Sequence, residues 1–303
     1  MNLNAIPNTS LRVSPFCLGT MTFGTPVGEA EAIRLTHSAM ELGVNFMDTA
    51  NMYEGYTRYI GSPGGVAEEI LGKALKGRGE KVVLATKVGM KIGPQDDDQG
   101  LSPKHIVREV DRSLSRLQCE TIDIYYMHKP DPNTPLTESV EAFDGLIRAG
   151  KIRHWGISNF NFEQIKNVLD ICDKNRWQRP VALQPAYSLL KIDIEADVLP
   201  LCQKENIAVF PYQVLQGGIL TGKYLRGENA PAGSRGLEKP EWTMPLTDET
   251  FDRIARIEAD AQRKGRTLLQ EALKGLLEKP MVLSLILGVK TIQQLKDIVE
   301  AIQ

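Results

Sequence analysis

The sequence predicts an α/β chain folded as a (β/α)8 barrel, because eight short β-rich segments alternate with amphipathic helices. Adjacent starts among the first seven segments lie 27 to 40 residues apart, which is the spacing of parallel strands joined by a helix. Segments 82–85 and 282–287 lack polar alternation, as expected for parallel strands buried on both faces. The eight candidate strands begin near Phe16, Asn45, Val82, Ile122, Ile152, Val181, Ala208 and Leu283.

A doubly wound open sheet is the alternative fold. Such a sheet usually carries a GxGxxG turn after its first strand, whereas residues 18–24 read LGTMTFG. The barrel is therefore favoured. Because α/β barrels of about 250 residues form one domain, we expect residues 1–303 to form a single domain.

The remaining elements follow from start, stop and periodicity signals. Apolar stripes at helical spacing predict helices ending before Gly43 and starting after Ser102-Pro103. Further stripes lie at 140–147, 162–172 and 291–301. Residues 3–15 are expected to form a hairpin that caps the bottom of the barrel. Residues 224–247 show no helical period and predict a long functional loop.

Composition narrows the class of function. Hydrophobic residues make up 42% of the chain and charged residues 24%, as in ordinary globular proteins. The net charge of −2 provides no field for nucleic acid or an anionic membrane. We find no apolar run of about 20 residues and no secretory signal. Four dispersed cysteines argue against a zinc cluster or disulfide framework, so we expect a cytoplasmic protein.

Polar residues follow the predicted strands at the end where barrel active sites lie. Asp48, Lys87 and His128 end three consecutive strands, and Tyr53 follows in the loop after Asp48. Each alone has an ordinary structural explanation, such as a helix cap for Asp48 or a core position for His128. Four ionisable groups at one mouth indicate catalysis. The other strand-end positions are Gly19, Ser158 with Asn159, Gln184, Tyr212 and Gly288.

This set suits general acid catalysis. A tyrosine hydroxyl with an ordinary pKa of ~10 is a weak acid at neutral pH. A lysine ammonium stabilises the phenolate and an aspartate fixes the lysine, while a histidine can donate a hydrogen bond to a substrate oxygen. Protonation of a carbonyl oxygen achieves nothing without a second reactant, so a cofactor must supply a hydride or another nucleophile. We expect no metal, and we interpret the acidic run 96–98 as a solvated loop.

Two segments suit the phosphates of a dinucleotide. Residues 216–224 nearly match a P-loop but have Tyr224 where the Mg²⁺-binding hydroxyl should be. A glycine-rich backbone can still approach a pyrophosphate there, with Lys223 as the counter-charge. The second segment is 288–291, at the start of the last helix. Both lie after strands 7 and 8, where barrels commonly bind phosphate, although ordinary turns are the alternative interpretation.

Beyond these patterns, the sequence resembles the aldo-keto reductase superfamily over essentially its whole length. The resemblance implies a TIM barrel and NAD(P)H-dependent reduction of a small carbonyl substrate without a metal. Because the cation Lys290 lies two residues after Gly288, at the turn into the last helix, we expect the cofactor to be NADP(H). The matching segments are 48–53 (DTANMY), 84–87 (LATK), 123–128 (DIYYMH), 150–153 (GKIR), 156–160 (GISNF), 184–188 (QPAYS), 212–223, and 287–290 (LGVK) with Gln294 and Leu295.

The resemblance also implies individual roles. Tyr53 corresponds to the proton donor, Lys87 with Asp48 lowers its pKa, and His128 orients the carbonyl. The implied cofactor residues are Gly19, Thr20, Met21, Asp48, Ser158, Asn159, Gln184, Tyr212, Gln213, Leu215, Gln216, Gly218, Leu220, Lys223, Arg235, Gly288, Lys290, Gln294 and Asp297. The expected substrate contacts are Phe23, Met52, Tyr53 and His128, with segment 128–133 nearby. The family often has an asparagine where Ile298 stands.

Two other functions stay open from the sequence. A binding or regulatory module, as in the related potassium-channel β subunits, would keep the cofactor site with little turnover. A phosphate-binding barrel lyase or isomerase would need no dinucleotide. Because the chain ends directly after its last helix, we expect few fixed contacts to the substrate and a broad preference for small or flat carbonyls. The sequence does not specify an oligomeric state.

Overall fold

The computed structural model describes residues 1–303, apart from the side chain of Glu80. Strand starts agree with the sequence prediction to within two residues. The strands are β1 (Asn4–Ala5), β2 (Arg12–Val13), β3 (Phe16–Gly19), β4 (Phe46–Asp48), β5 (Val83–Val88), β6 (Ile122–Met127), β7 (Ile152–Ser158), β8 (Ala182–Gln184), β9 (Ala208–Val209) and β10 (Leu285–Leu287).

The last eight strands form one parallel sheet in the order β10-β3-β4-β5-β6-β7-β8-β9. The sheet curls until its two ends meet beside β9: the amide of Val209 donates to Met281 O at 2.8 Å, and the amide of Ile286 donates to Pro211 O at 2.9 Å. The predicted (β/α)8 barrel is thereby confirmed. The predicted hairpin is also present, since β1 pairs antiparallel with β2.

Ten helices accompany these strands. The predicted start and stop signals lie where expected. Pro103 begins the third helix, and Ser102 Oγ before it accepts from the amide of His105. Gly43, with φ 86°, follows the end of the first helix. The helices are α1 (Glu29–Glu41), α2 (Val66–Leu75), α3 (Pro103–Leu117), α4 (Leu136–Arg148), α5 (Phe162–Asn175), α6 (Val198–Glu205), α7 (Arg235–Glu238), α8 (Asp248–Arg263), α9 (Leu268–Leu277) and α10 (Ile292–Ile302). None of those described is long and apolar enough to cross a bilayer.

The long segment before α8 differs in detail from expectation. Residues 224–247, called the strap below, contain the four-residue helix α7 and a 3-10 turn at Pro240–Trp242. Elements this short complete about one turn and leave no apolar period in a sequence. Ser234 caps α7, and its hydroxyl accepts from the amide of Leu237 at 3.3 Å.

Alternate strand residues point into the barrel, where they form an apolar plug. Phe46 and Phe210 pack edge to face there, with ring centroids 5.0 Å apart. Tyr126 fits beside Gly156, because a Cβ atom at residue 156 would lie 2.4 Å from the tyrosine ring. Towards the carboxyl ends of the strands the inward positions become polar, and the candidate site lies there.

Candidate active site

Strand geometry brings the predicted catalytic residues together. Asp48 is the last residue of β4 and Lys87 lies near the end of β5, two positions beyond the inward-facing Ala85. His128 directly follows β6, and its amide donates to Val88 O at 2.8 Å. Tyr53 comes from the loop after β4, which turns back because the amide of Tyr53 donates to Ala50 O at 3.0 Å.

Lys87 is the centre of the polar cluster. Its ammonium lies 2.6 Å from Asp48 Oδ2, 2.7 Å from the carbonyl of Thr49 and 3.2 Å from the hydroxyl of Tyr53. The lysine side chain is 0% exposed and the aspartate 2%. Three oxygen partners satisfy the three N–H groups of the ammonium, so a cation is held at the barrel mouth without bulk water.

The charges of this buried pair depend on each other. Burial lowers the pKa of Lys87, but the carboxylate of Asp48 and the oxygen of Tyr53 outweigh it, and the lysine pKa is raised. Burial raises the pKa of Asp48, while Lys87 and the amide of Gln184 oppose this change. Gln184 Nε2 donates to Asp48 Oδ1 at 2.9 Å, so both carboxylate oxygens have donors.

The hydroxyl of Tyr53 is kept protonated. Burial raises its pKa above the ordinary value of 10, and Lys87 offsets only part of this increase. The ammonium also lies 4.7 Å from the centre of the Tyr53 ring. The sequence predicted a lowered pKa for Tyr53, but the pKa is raised because the effect of burial outweighs that of the nearby cation. The arrangement stores a proton on Tyr53 and places a cation where a phenolate would form.

The surroundings of His128 favour its neutral imidazole form. Burial and the cations of Lys87, Arg58 and Lys129 hold its pKa well below 6.5. Its ring packs edge to face with Tyr53, with centroids 6.0 Å apart. Nδ1 is buried and has no hydrogen-bond partner among the described residues. A neutral imidazole beside the hydroxyl can orient a carbonyl group but carries no charge into the site.

An amide cluster lies next to this set. Tyr212 OH donates to Asn159 Oδ1 at 2.7 Å, and Asn159 Nδ2 donates to the carbonyl of His128 at 3.0 Å. Ser158 Oγ donates to the carbonyl of Gln184 at 2.8 Å. These contacts hold the predicted nicotinamide ligands together at the mouth, and their binding role stays a prediction.

A cleft of about 380 Å³ lies between the ends of β9 and β10. It suits a phosphate-bearing ligand, because three cations line it. Nine predicted cofactor residues line this cleft: Gln213, Leu215, Gly218, Lys223, Arg235, Gly288, Lys290, Gln294 and Asp297. Ile298 also lines it, so an apolar side chain occupies the position where the family often has asparagine.

The backbone at Gly217 and Gly218 fits a pyrophosphate. Both glycines have positive φ, of 69° and 96°, and both line the cleft. A Cβ atom on residue 218 would lie 2.6 Å from the ammonium of Lys223. The missing side chain therefore leaves room for a cation beside exposed backbone, which is what close approach of a phosphate requires.

Other predicted ligands lie outside the cleft lining. Gln216 and Leu220 are buried, and the amide of Gln216 donates to Ser188 Oγ at 2.8 Å. Gly19 and Thr20 are buried in and just after β3, Phe23 is fully buried, and Met21 and Met52 are half-buried. Their roles stay predictions.

Sequence reasoning missed Thr22 and Tyr56, which also line the cleft. Tyr56 lies far from Arg235 along the chain, yet Arg235 Nε donates to its hydroxyl at 3.3 Å. No sequence motif links the two segments. The contact between an aromatic residue and a cation is therefore seen only in the structure.

Comparisons with known proteins agree with this geometry. Residues 15–303 match the model of the aldo/keto reductase family. The chain is 35% identical to an uncharacterised oxidoreductase, YrpG, of Bacillus subtilis (strain 168), covering 100% of this chain and 91% of that protein. It is 33% identical, with the same coverage, to a probable voltage-gated potassium channel subunit beta of Oryza sativa subsp. japonica. Among solved structures it is similar to the holo form of aldo-keto reductase AKR11C1 from Bacillus halodurans, with a TM-score of 0.79, 29% identity and coverage of 100% and 91%.

Proposed function

The chain belongs to the aldo/keto reductase family and is an NAD(P)H-dependent oxidoreductase, and from this premise we propose that it reduces aldehydes and ketones to alcohols with NADPH and Tyr53 as the general acid. The observation that carries the proposal is the contact of 3.2 Å between the Tyr53 hydroxyl and the Lys87 ammonium. Free thiols at all four cysteines of the described chain support a cytoplasmic location.

The proposed roles follow from charge. A bound nicotinamide supplies the hydride that the carbonyl carbon accepts. Tyr53 donates its proton to the carbonyl oxygen, and its electron pair stays on the phenolate oxygen. Lys87 stabilises that phenolate across 3.2 Å, and Asp48 keeps the lysine charged and in place. Neutral His128 orients the carbonyl oxygen towards Tyr53 without competing as an acid.

Replacement of Tyr53 by phenylalanine tests the chemistry. The variant loses the proton but keeps a ring of the same shape, so we expect kcat to fall by about 10²–10⁴-fold and the Kd for NADPH to change little. Turnover is measured with an activated aldehyde, and cofactor affinity by fluorescence titration. A variant that retains most of its kcat would show that Tyr53 is not the acid.

The wild-type protein separates this proposal from a binding module. The similarity to a protein named as a potassium channel subunit makes that comparison necessary. Tight cofactor binding without turnover of any carbonyl in a broad panel would favour the binding module. No cofactor binding at all would favour a phosphate-binding lyase or isomerase.

The preference for NADPH is assigned to Lys290. Lys290 lines the cleft and lies just before Thr291, the cap residue of α10, where a cation beside the N-terminus of a helix suits the 2′-phosphate. A charge-assisted contact contributes about 1.5–3 kcal/mol, so Lys290→Ala should raise the Kd for NADPH at least about tenfold. The Kd for NADH should stay nearly constant. Equal losses for both cofactors would make Lys290 structural instead.

A further inference from the structure

Lys290, the residue proposed to bind the 2′-phosphate, already has a carboxylate partner. Lys290 Nζ forms an ion pair with Glu238 of the strap, and it donates to the carbonyl of Gly233 at 2.9 Å. It also lies 5.2 Å from the centre of the Tyr56 ring. The Lys290 side chain is 20% exposed and that of Glu238 32%. A carboxylate therefore already contacts the ammonium that is proposed to bind the extra phosphate of NADPH.

The strap holds Glu238 in this place through contacts on both sides of the cleft. The amide of Gly236 donates to Tyr224 OH at 3.0 Å, and that hydroxyl donates to the carbonyl of Gly217 at 3.2 Å. A Cβ atom on residue 236 would lie 2.8 Å from the Tyr224 ring. On the opposite side, Tyr56 packs edge to face against Trp242, with centroids 5.5 Å apart. Glu238 is thus fixed at the end of α7 and is not a freely moving surface acid.

We propose that Glu238 is a specificity-determining residue that competes with the 2′-phosphate of NADPH for Lys290 and thereby limits the preference for NADPH over NADH. This inference rests on the proposed function. A phosphate dianion that contacts Lys290 must displace the carboxylate or remain beside it, and like charges in a half-buried site repel each other. NADH carries only a 2′-hydroxyl, which can donate to a carboxylate as in other dinucleotide sites.

The experiment compares Glu238→Gln with Glu241→Gln. The first variant removes the competing charge and keeps a side chain of the same shape. The control removes a carboxylate from the same strap that lies 3.8 Å from Lys239. We expect Glu238→Gln to lower the Kd for NADPH by about tenfold and to leave the Kd for NADH unchanged or higher. The control should change neither Kd.

Fluorescence titrations with NADPH and NADH provide the readout at fixed, low ionic strength, because screening weakens charge effects. An equal change for both cofactors, or a weaker binding of NADPH, would overturn the role of Glu238. These titrations require no turnover, so the inference can fail while the Tyr53 chemistry stands. Conversely, if Tyr53→Phe kept its kcat, the proposed acid would be wrong, but the comparison of cofactor affinities would still be valid.

Discussion

At the scale of single residues, three side chains at the barrel mouth each depend on burial and neighbouring charges for their protonation state. Lys87 has to stay charged away from water, and Asp48 makes this possible at a distance of 2.6 Å. In the proposed reaction Tyr53 has to stay protonated until a carbonyl oxygen accepts its proton, and burial favours the protonated form by raising its pKa. His128 has to stay neutral, and burial with neighbouring cations lowers its pKa. Each state depends on exclusion of water as much as on the neighbouring charges.

These pKa directions predict how the reaction depends on pH. The pKa of Tyr53 lies above 10 and that of His128 lies well below 6.5, so neither group changes its protonation near neutrality. We expect the single-turnover rate of carbonyl reduction to stay constant from about pH 7 to pH 9.

Stopped-flow measurements with saturating cofactor check this expectation. A deuterated hydride donor should slow the measured rate, which would verify that the chemical step is observed. A half-maximal rate between pH 7 and pH 9 would contradict the assigned protonation states.

At the scale of elements, the turn between β9 and the strap shapes the cleft that is proposed to bind the cofactor. Gln216–Thr221 form a 3-10 turn whose two glycines take positive φ. This conformation turns backbone towards the cleft and leaves space for Lys223. The near match to a P-loop thus has a physical basis, although the turn leads into the strap and not into a long helix.

Gly218→Ala tests this turn, with Gly222→Ala as its matched control. Both residues have positive φ, of 96° and 80°, so both substitutions should cost about 1–2 kcal/mol of folding free energy. Only the alanine at residue 218 would displace Lys223, because the nearest atom to a Cβ at residue 222 lies 4.0 Å away, on Leu268.

We therefore expect Gly218→Ala to raise the Kd for NADPH about tenfold, while Gly222→Ala leaves it nearly unchanged. Fluorescence titration gives the affinities and urea unfolding gives the stabilities. Similar affinity losses in both variants would mean that general strain, and not the space beside Lys223, controls binding.

At the scale of the whole molecule, the barrel interior supports the mouth from below. Small and large residues alternate there, as at the pair of Tyr126 on β6 and Gly156 on β7. Because interiors pack as densely as crystals, one extra methyl group in this layer has no free space. The fixed interior keeps the strand ends, and hence the predicted catalytic groups, in register.

Gly156→Ala should therefore destabilise the protein. Its Cβ atom would lie 2.4 Å from the Tyr126 ring and 2.8 Å from the carbonyl of Ala182, and such overpacking costs about 1–3 kcal/mol. Gly145→Ala in α4 is the control, because apart from the adjoining backbone of α4 no atom lies within 4 Å of its added methyl group. We expect that control to stabilise the helix by about 0.5–1 kcal/mol. Urea unfolding measures both changes, and an unaffected Gly156→Ala would show that the interior can relax.

The sequence by itself determined the barrel and the grouping of the predicted catalytic residues. Strand and helix periods are local, so the starts of β3 to β10 could be predicted to within two residues. The carboxyl ends of parallel strands must meet at one edge, and that rule alone brought Asp48, Lys87 and His128 together. The glycines and cations after β9 and β10 likewise predicted where a cleft would lie.

Only the tertiary structure decided the directions of the pKa shifts and the distant contacts. The sequence indicated a lowered pKa for Tyr53 from its lysine, but burial reverses that direction, and burial is a property of the packed molecule. The pairing of Glu238 with Lys290 and the contact of Arg235 with Tyr56 join segments separated by 52 and 179 positions. Loop side chains follow no period, so their partners are set by how the strap lies across the barrel mouth.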